Sequence, residues 1–247
     1  MVTLLNIGNT HTQVGHLEGG RAVLDRVMPT ASWLEGGGAA LSACPGDGPV
    51  LAACVVPAVR ERLAGAARRV VFLEAGLVTE VDFNRVDSST LGADRIANAV
   101  AAAALVAGPV VVVDCGTCIT TEVLSAGGRF EGGAILPGRS LWRRALCSHT
   151  GQLPLVELAE ATPAPLGRCT RDAILAGVDL GILGAVGRLV AASRQALGAP
   201  DCRVLAVGGD AGYFCRGLPG LEAGGDAFTL GGLARVASRL FAAAAGG

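Results

Sequence analysis

GPVVVVDCGTCITTEVLSAGGRFEGGAILPG, residues Gly108 to Gly138, reads as one supersecondary unit. Val110 to Asp114 is a β-branched run that ends in an acid, and Gly116 and Thr117 turn the chain. Ile119 to Leu124 follows as a strand, and Ala126-Gly127-Gly128 makes a hairpin turn. The stretch LLNIGNTHTQVG, Leu4 to Gly15, has the same grammar. A strand from Thr3 to Asn6 runs into the small polar turn Gly8-Asn9-Thr10, and a second strand spans Gln13 to His16. A hairpin at Glu18-Gly19-Gly20 then leads to a third strand, Arg21 to Val27. Asn6-x-Gly8-Asn9-Thr10 and Asp114-x-Gly116-Thr117 therefore hold the same place in a repeated strand–turn–strand–hairpin unit. The repeat predicts two related α/β domains, 1–107 and 108–247.

The intervening chain fits that plan. Pro49 to Val55 reads as a buried strand, Pro57 to Arg68 as a helix, Val70 to Leu73 as a strand and Asp94 to Val106 as an Ala-rich helix. Beyond the second unit, Leu141 to Ser148 is helical and Arg171 to Leu197 forms one or two helices. Val204 to Val207 is a short strand ending in Gly208-Gly209, and Thr229 to Ala244 is a closing helix. The apolar stretch Ala173 to Val190 suits a dimer interface or an intradomain core equally.

Composition excludes several chemistries. All 20 basic residues are Arg, so a P-loop lysine and a Schiff-base lysine are both ruled out. Any nucleotide must be held by backbone amides, hydroxyls, carboxylates and a metal ion. With 20 basic against 21 acidic residues the formal charge is −1, which argues against a nucleic-acid groove. The longest apolar run, Ala99 to Val113, is interrupted by Gly108-Pro109 and reads as helix, turn and strand. No basic segment precedes the first apolar residues, so a cytoplasmic protein is expected. Eight Cys include a single CxxC pair, Cys115 and Cys118, and only three His are present. That inventory lacks zinc-site spacing and reads as small buried thiols.

The two turns suit phosphate. Small residues after a strand let backbone N–H groups approach an anion with no Cβ in the way, and Thr10 and Thr117 add hydroxyl donors. A carboxylate at the strand end does not bind phosphate; it holds a cation, or a cation's water, beside it. Two such turns facing across a cleft would grip a nucleotide tail.

Taken in order, the motifs resemble those of type III pantothenate kinases, members of the acetate kinase/Hsp70/actin superfamily. The family's N-terminal D-x-G-N-T turn is matched by Asn6 to Thr10, and its G-A-D-R by Gly92-Ala93-Asp94-Arg95. Its D-x-G-T turn is Asp114 to Thr117, followed by Gly132 to Gly138. Leu153-Pro154, Gly167 to Thr170, Gly177, Gly208-Gly209 and Thr229-Leu230-x-Gly232-Leu233 then fall in the expected sequence. The resemblance implies two ribonuclease-H-like (actin-like ATPase) domains with a cleft between them, and ATP-dependent phosphorylation of pantothenate. It implies ATP, Mg2+ and a monovalent cation (K+ or NH4+) as cofactors, and a homodimer.

By the same resemblance, Asp94 orients or accepts the proton of the attacking hydroxyl, and Arg95, with Gly92, holds pantothenate. Gly8, Asn9, Thr10, Gly116 and Thr117 cradle the phosphates with Asn6 beside them at the nucleotide site, Asp114 organises the metal, and Gly208 and Gly209 lie under the adenosine. Thr170 reaches pantothenate from the partner subunit, unless it caps the helix that starts near Arg171. Three positions depart from the pattern. Asn6 replaces the family aspartate, Arg85 and Ser88 stand at a tyrosine and a proline, and Cys169 stands at an asparagine. Arg85 would favour a more anionic acceptor. The departures define an alternative reading, a non-catalytic relative with a binding or regulatory role.

Overall fold

The computed structural model describes residues 1–36 and 38–242. In chain order the elements are β1 (Thr3–Ile7), β2 (His11–Glu18), β3 (Arg21–Pro29), α1 (Ala31–Gly36), α2 (Gly38–Ser42) and β4 (Val50–Cys54). There follow α3 (Pro57–Ala64), β5 (Val70–Phe72), α4 (Ala93–Leu105), β6 (Val110–Cys115), β7 (Cys118–Leu124), β8 (Phe130–Gly132) and β9 (Ile135–Pro137). The chain continues through α5 (Arg139–Ser148), α6 (Thr170–Leu175), a π-helical turn (Ala176–Leu180) and α7 (Gly181–Leu197). It closes with β10 (Arg203–Val207), α8 (Ala211–Gly217), β11 (Leu221–Ala223) and α9 (Phe228–Ala242).

Two compact units result. The first contains Met1–Gly108, Ala126–Glu131 and the chain from Gly225 onward; the second contains Pro109–Ser125 and Gly132–Gly224. The closing helix, assigned from sequence to the second domain, thus belongs to the first unit. Its buried Leu230, Leu233, Ala234, Val236 and Ala237 give it an apolar face that packs on α4 and on the first sheet. The expected end at Ala244 lies outside the described residues. Asp82 ties the 126–131 hairpin to the first unit, accepting from Phe130 N at 2.9 Å and donating to Gly128 O at 3.1 Å.

In the first unit the sheet order is β3-β2-β1-β4-β5, with β1 antiparallel to β2 and parallel to β4. In the second unit β6 takes the place of β1: it is antiparallel to β7 and parallel to β10, which is parallel to β11. The repeat read from the sequence is therefore a repeat of topology. Leu5, Ile7, Val14, Ala52 and Cys54 meet Trp33, Val59 and Leu63 on one face of the first sheet. Val111, Val113 and Cys115 meet Ile182, Val186, Tyr213 and Phe214 in the second unit.

Two sequence expectations change, a helix end and the burial of the thiols, and one open alternative narrows. The third helix stops at Ala64, not Arg68. Arg68 instead turns its guanidinium to Gly48 O, Leu41 O and Thr3 Oγ1, binding that loop to the sheet. Of the two readings of Ala173–Val190, the intradomain one describes Ile182, Leu183, Val186 and Val190, which pack in the second unit's own cluster. The 28-residue helical stretch containing it, Thr170–Leu197, is apolar enough to cross a membrane by composition, but half of its most apolar window is buried. Of the eight thiols, all free, four are buried; Cys118, Cys147 and Cys215 are half-buried and Cys169 is exposed.

The crossing of α4 and α9 depends on Gly232, where an added Cβ would stand 1.9 Å from Ala97 O. Backbone cannot yield cheaply there. Gly232→Ala is expected to lower unfolding free energy by about 2–3 kcal/mol, measured by denaturant titration; an unchanged midpoint would refute the close packing.

Candidate active site

In the first unit, β1 delivers Asn6 to the sheet's end and the turn Gly8-Asn9-Thr10 follows. Gly8 N donates to His11 O at 3.0 Å, which closes the turn. Thr30 holds it from behind: its N–H donates to Thr10 O at 2.9 Å and its hydroxyl to Gly8 O at 2.7 Å. The carbonyls are thereby used inside the protein, while Asn9 and Thr10 are exposed.

Asp94 and Arg95 open α4 in the same unit. Gly92 precedes them with no room for a side chain, since a Cβ there would come within 2.6 Å of Asp94 Oδ1. Arg95 N donates to Asp94 Oδ1 at 2.8 Å, fixing the carboxylate at the helix N-terminus. Burial pushes the Asp94 carboxyl above its ordinary value, and the Arg95 amide and charge only partly offset this. The Arg95 guanidinium lies 5.6 Å from the centre of the Phe130 ring, which packs in turn on Phe83. Arg85 sits at the surface, 64% exposed, with its Nε 3.4 Å from Glu131. Next to Gly92 opens a cavity of about 730 Å3, with Arg60, Glu74 and the Ser88–Thr90 segment among its walls.

In the second unit three segments converge at the ends of β6 and β10. The turn after β6 is tight, with Gly116 N donating to Cys118 O at 3.0 Å. Gly138 lies against it: its N–H donates to Thr117 O at 2.9 Å, and a Cβ would fall 2.2 Å from Gly116 O. Gly208 has φ +87°, and its Cβ would meet Asp114 Oδ1 at 2.6 Å and Cys115 O at 2.8 Å. Only glycine satisfies both conditions. Asp210 N closes the arrangement by donating to Cys115 O at 3.0 Å.

Beneath these loops lies a buried ionic cluster that sequence reasoning missed. Arg139 Nε donates to Asp179 Oδ1 at 2.9 Å and Arg143 to Asp179 Oδ2 at 2.6 Å, all three side chains at most 2% exposed. Arg139 also reaches Asp210 at 3.4 Å, donates to Ala159 O, and stacks 3.6 Å from the centre of the Tyr213 ring. The signal available was Asp179 itself, a lone acid in the apolar run AILAGVDLGIL. It occupies the π-helical turn, a distortion common at functional sites. Burial raises the Asp210 carboxyl from its ordinary value against the pull of Arg139. Burial, with the charges of Asp114 and Asp210, also drives the Cys115 thiol far up, so it is an inert packing group.

Thr170 is the first residue of α6 and exposed; the N-cap is Cys169, so Thr170 is not the cap. Among the described residues no group of three or more His, Cys, Asp or Glu could hold a metal ion alone. The donors fit a Mg2+ that arrives on phosphate oxygens and takes one or two protein oxygens. Asp114 stands beside Gly208 at the second strand end, and Asn6 Oδ1 is a buried acceptor with no hydrogen-bond partner.

Two units that repeat one mixed sheet, each with a glycine turn ending its central strand, form the actin-like α/β fold. A structure described as a conserved putative Baf family transcriptional activator from Campylobacter jejuni superposes with TM-score 0.65 at 20% identity, covering 96% of this chain and 98% of that one. A putative 2-dehydro-3-deoxygalactonokinase from Sinorhizobium meliloti gives 0.59 at 16%, covering 97% and 99%. The type III pantothenate kinase family pattern matches residues 3–192. The type III pantothenate kinase of Rubrobacter xylanophilus is 34% identical over 228 residues, covering 85% of this chain and 86% of that protein. The chain belongs to the type III pantothenate kinase family.

The ionic cluster yields a stability test. Asp179→Asn leaves two buried guanidinium groups without their shared anion and is expected to cost about 3–5 kcal/mol. Denaturant unfolding measures it; a loss below 1 kcal/mol would show the cluster to be solvated.

Proposed function

We infer that the protein transfers the γ-phosphoryl group of ATP to the hydroxyl of pantothenate, forming 4'-phosphopantothenate at the entry to coenzyme A synthesis. The observation that carries this reading is the Gly92-Ala93-Asp94-Arg95 segment, intact and opening α4 with Asp94 held by the Arg95 amide. Asp94 takes the proton of the attacking hydroxyl, and burial, by raising its basicity, suits it to that task. Arg95 binds the pantothenate carboxylate through its guanidinium. Gly8, Asn9 and Thr10 in one unit, and Gly116 and Thr117 in the other, form the small-residue turns that cradle phosphate oxygens, the N–H groups of Gly8 and Gly116 closing the turns themselves. Gly208 and Gly209 provide a flat backbone for the nucleoside. When bound, Mg2+ neutralises phosphate charge, with Asp114 as its protein anchor.

A monovalent cation, a cytoplasmic location and a homodimer complete the proposal. Ile135, Trp142, Leu155, Leu158 and Leu166, apolar and exposed on the second unit, support self-association, and Thr170 is exposed as a residue offered to a partner subunit must be. Neither the family match nor the site favours the non-catalytic reading, since Asp94, Arg95 and Asp114 are all present.

The test is a coupled ADP-release assay with pantothenate, ATP, Mg2+ and a series of monovalent cations. Pantothenate-dependent turnover is expected, and Asp94→Asn should cut it by about 10²–10⁴. The acid limb of kcat/KM should lie above the ordinary aspartate value, because only ionised Asp94 accepts the proton. The same raised value means that the fold carries ionised Asp94 at a loss at neutral pH, a loss that vanishes on acidification. Asp94→Asn should therefore melt no lower than wild type at pH 7. Wild type silent toward pantothenate under every cation condition would overturn the assignment.

A further inference from the structure

Asn6 and Gln13 face each other across β1 and β2, a directly opposed pair in the antiparallel register. Gln13 Nε2 donates to the backbone carbonyl of Asp226 at 2.8 Å. That leaves Gln13 Oε1 toward Asn6, whose Nδ2 donates to it at 3.1 Å. Asn6 Oδ1 is consequently turned the other way, buried and without a hydrogen-bond partner. A carbonyl only accepts, so this order of donors and acceptors cannot be reversed without setting two oxygens against each other at one of the two junctions.

We propose that Gln13 is a positioning residue that locks Asn6 as an acceptor at the end of β1, so that Asn6 serves the water shell of the nucleotide's divalent cation rather than a phosphate oxygen. A buried acceptor awaits a donor. Phosphate oxygens are acceptors and are refused, whereas water on a cation donates. The second unit supplies an internal comparison. There the register partner of Asp114 is Thr120, a hydroxyl able to donate to a carboxylate. In the first unit the corresponding partner presents an oxygen. Residue 6 is thus matched to Gln13 as an amide, and a carboxylate there would stand against Gln13 Oε1. Restoring the acid alone does not restore a carboxylate anchor.

The inference rests on the kinase reading for the identity of the nucleotide, and its test is separable from that reading. Mn2+ affinity is measured by electron paramagnetic resonance in the presence of a nonhydrolysable ATP analogue, without pantothenate, for wild type, Asn6→Asp, Gln13→Val and the double variant. Asn6→Asp alone should stay within about threefold of wild type, and the double variant should bind Mn2+ about tenfold or more tightly, a charge-assisted contact being the stronger one. Gln13→Val alone, which frees Asn6 to turn its NH2 outward, should weaken Mn2+ several-fold and raise the Mg2+ concentration for half-maximal turnover while leaving KM for pantothenate at saturating Mg2+ unchanged. A merely structural role would not separate those two. The proposal falls if Asn6→Asp alone gains as much as the double variant, or if the double variant gains nothing. Should Asn6→Asp fail to fold by thermal melting, Gln13→Val against wild type decides: unchanged Mn2+ affinity overturns the proposal. Failure of wild type to phosphorylate pantothenate while it binds Mn2+ and nucleotide overturns the function, not this pairing.

Discussion

The second unit is organised around a backbone approach too close for any side chain. Gly138 lies on the carbonyls of Gly116 and Thr117, and Gly208 lies on Asp114 and Cys115. Each contact brings the end of one segment onto the turn after β6, and the Asp210 amide seals the group through Cys115 O. A methyl group at either glycine would separate the loops by more than hydrogen bonding tolerates. The carbonyls of Cys115 and Thr117 and the Gly116 N–H are thereby spent inside the protein, and the turn is fixed from both sides. The first unit reaches the same result by other means, with Thr30 taking up the carbonyls of Gly8 and Thr10.

The two halves keep a common sheet and diverge at its strand ends. Asn6 pairs in register with Ala53 and Gln13, and Asp114 with Val207 and Thr120. The positions match; the chemistry does not. The first unit carries the G-A-D-R helix with its part-buried carboxylate, and the second carries Asp114 against Gly208. The same sheet topology thus carries unlike residues at its strand ends. A substitution at such an end is judged against its cross-strand partner before its charge, which is how Asn6 becomes a matched amide rather than a lost acid.

The architecture was legible because the repeat is local. β-Branched runs, small turns and hairpin glycines declare themselves within thirty residues, and β6, β7 and α4 stand where the pattern put them. Short elements such as α8, β11 and the two helices before β4 carry too few periods to show. The return of α9 to the first unit was invisible, since an amphipathic helix advertises a buried face but not what buries it. The site was half legible for the same reason. Asp94, Asp114 and the glycines belong to contiguous motifs, whereas Arg139, Asp179 and Tyr213 meet only through tertiary packing, Arg139 and Asp179 standing 40 positions apart.

The absence of lysine, which first served to exclude chemistries, has a structural counterpart. Arg139 addresses Asp179, Asp210 and Ala159 O with three different nitrogens while its plane rests on Tyr213. Arg68 likewise distributes its donors over Gly48, Leu41 and Thr3. An ammonium is a point charge with no flat face and no fixed fork, so it could not hold these directions at once. Both guanidinium groups act as rigid joints between loop and sheet. Arg139 reaches Asp210 at the end of the Gly208–Asp210 loop, so the ionic cluster fixes that loop as well as stabilising the unit.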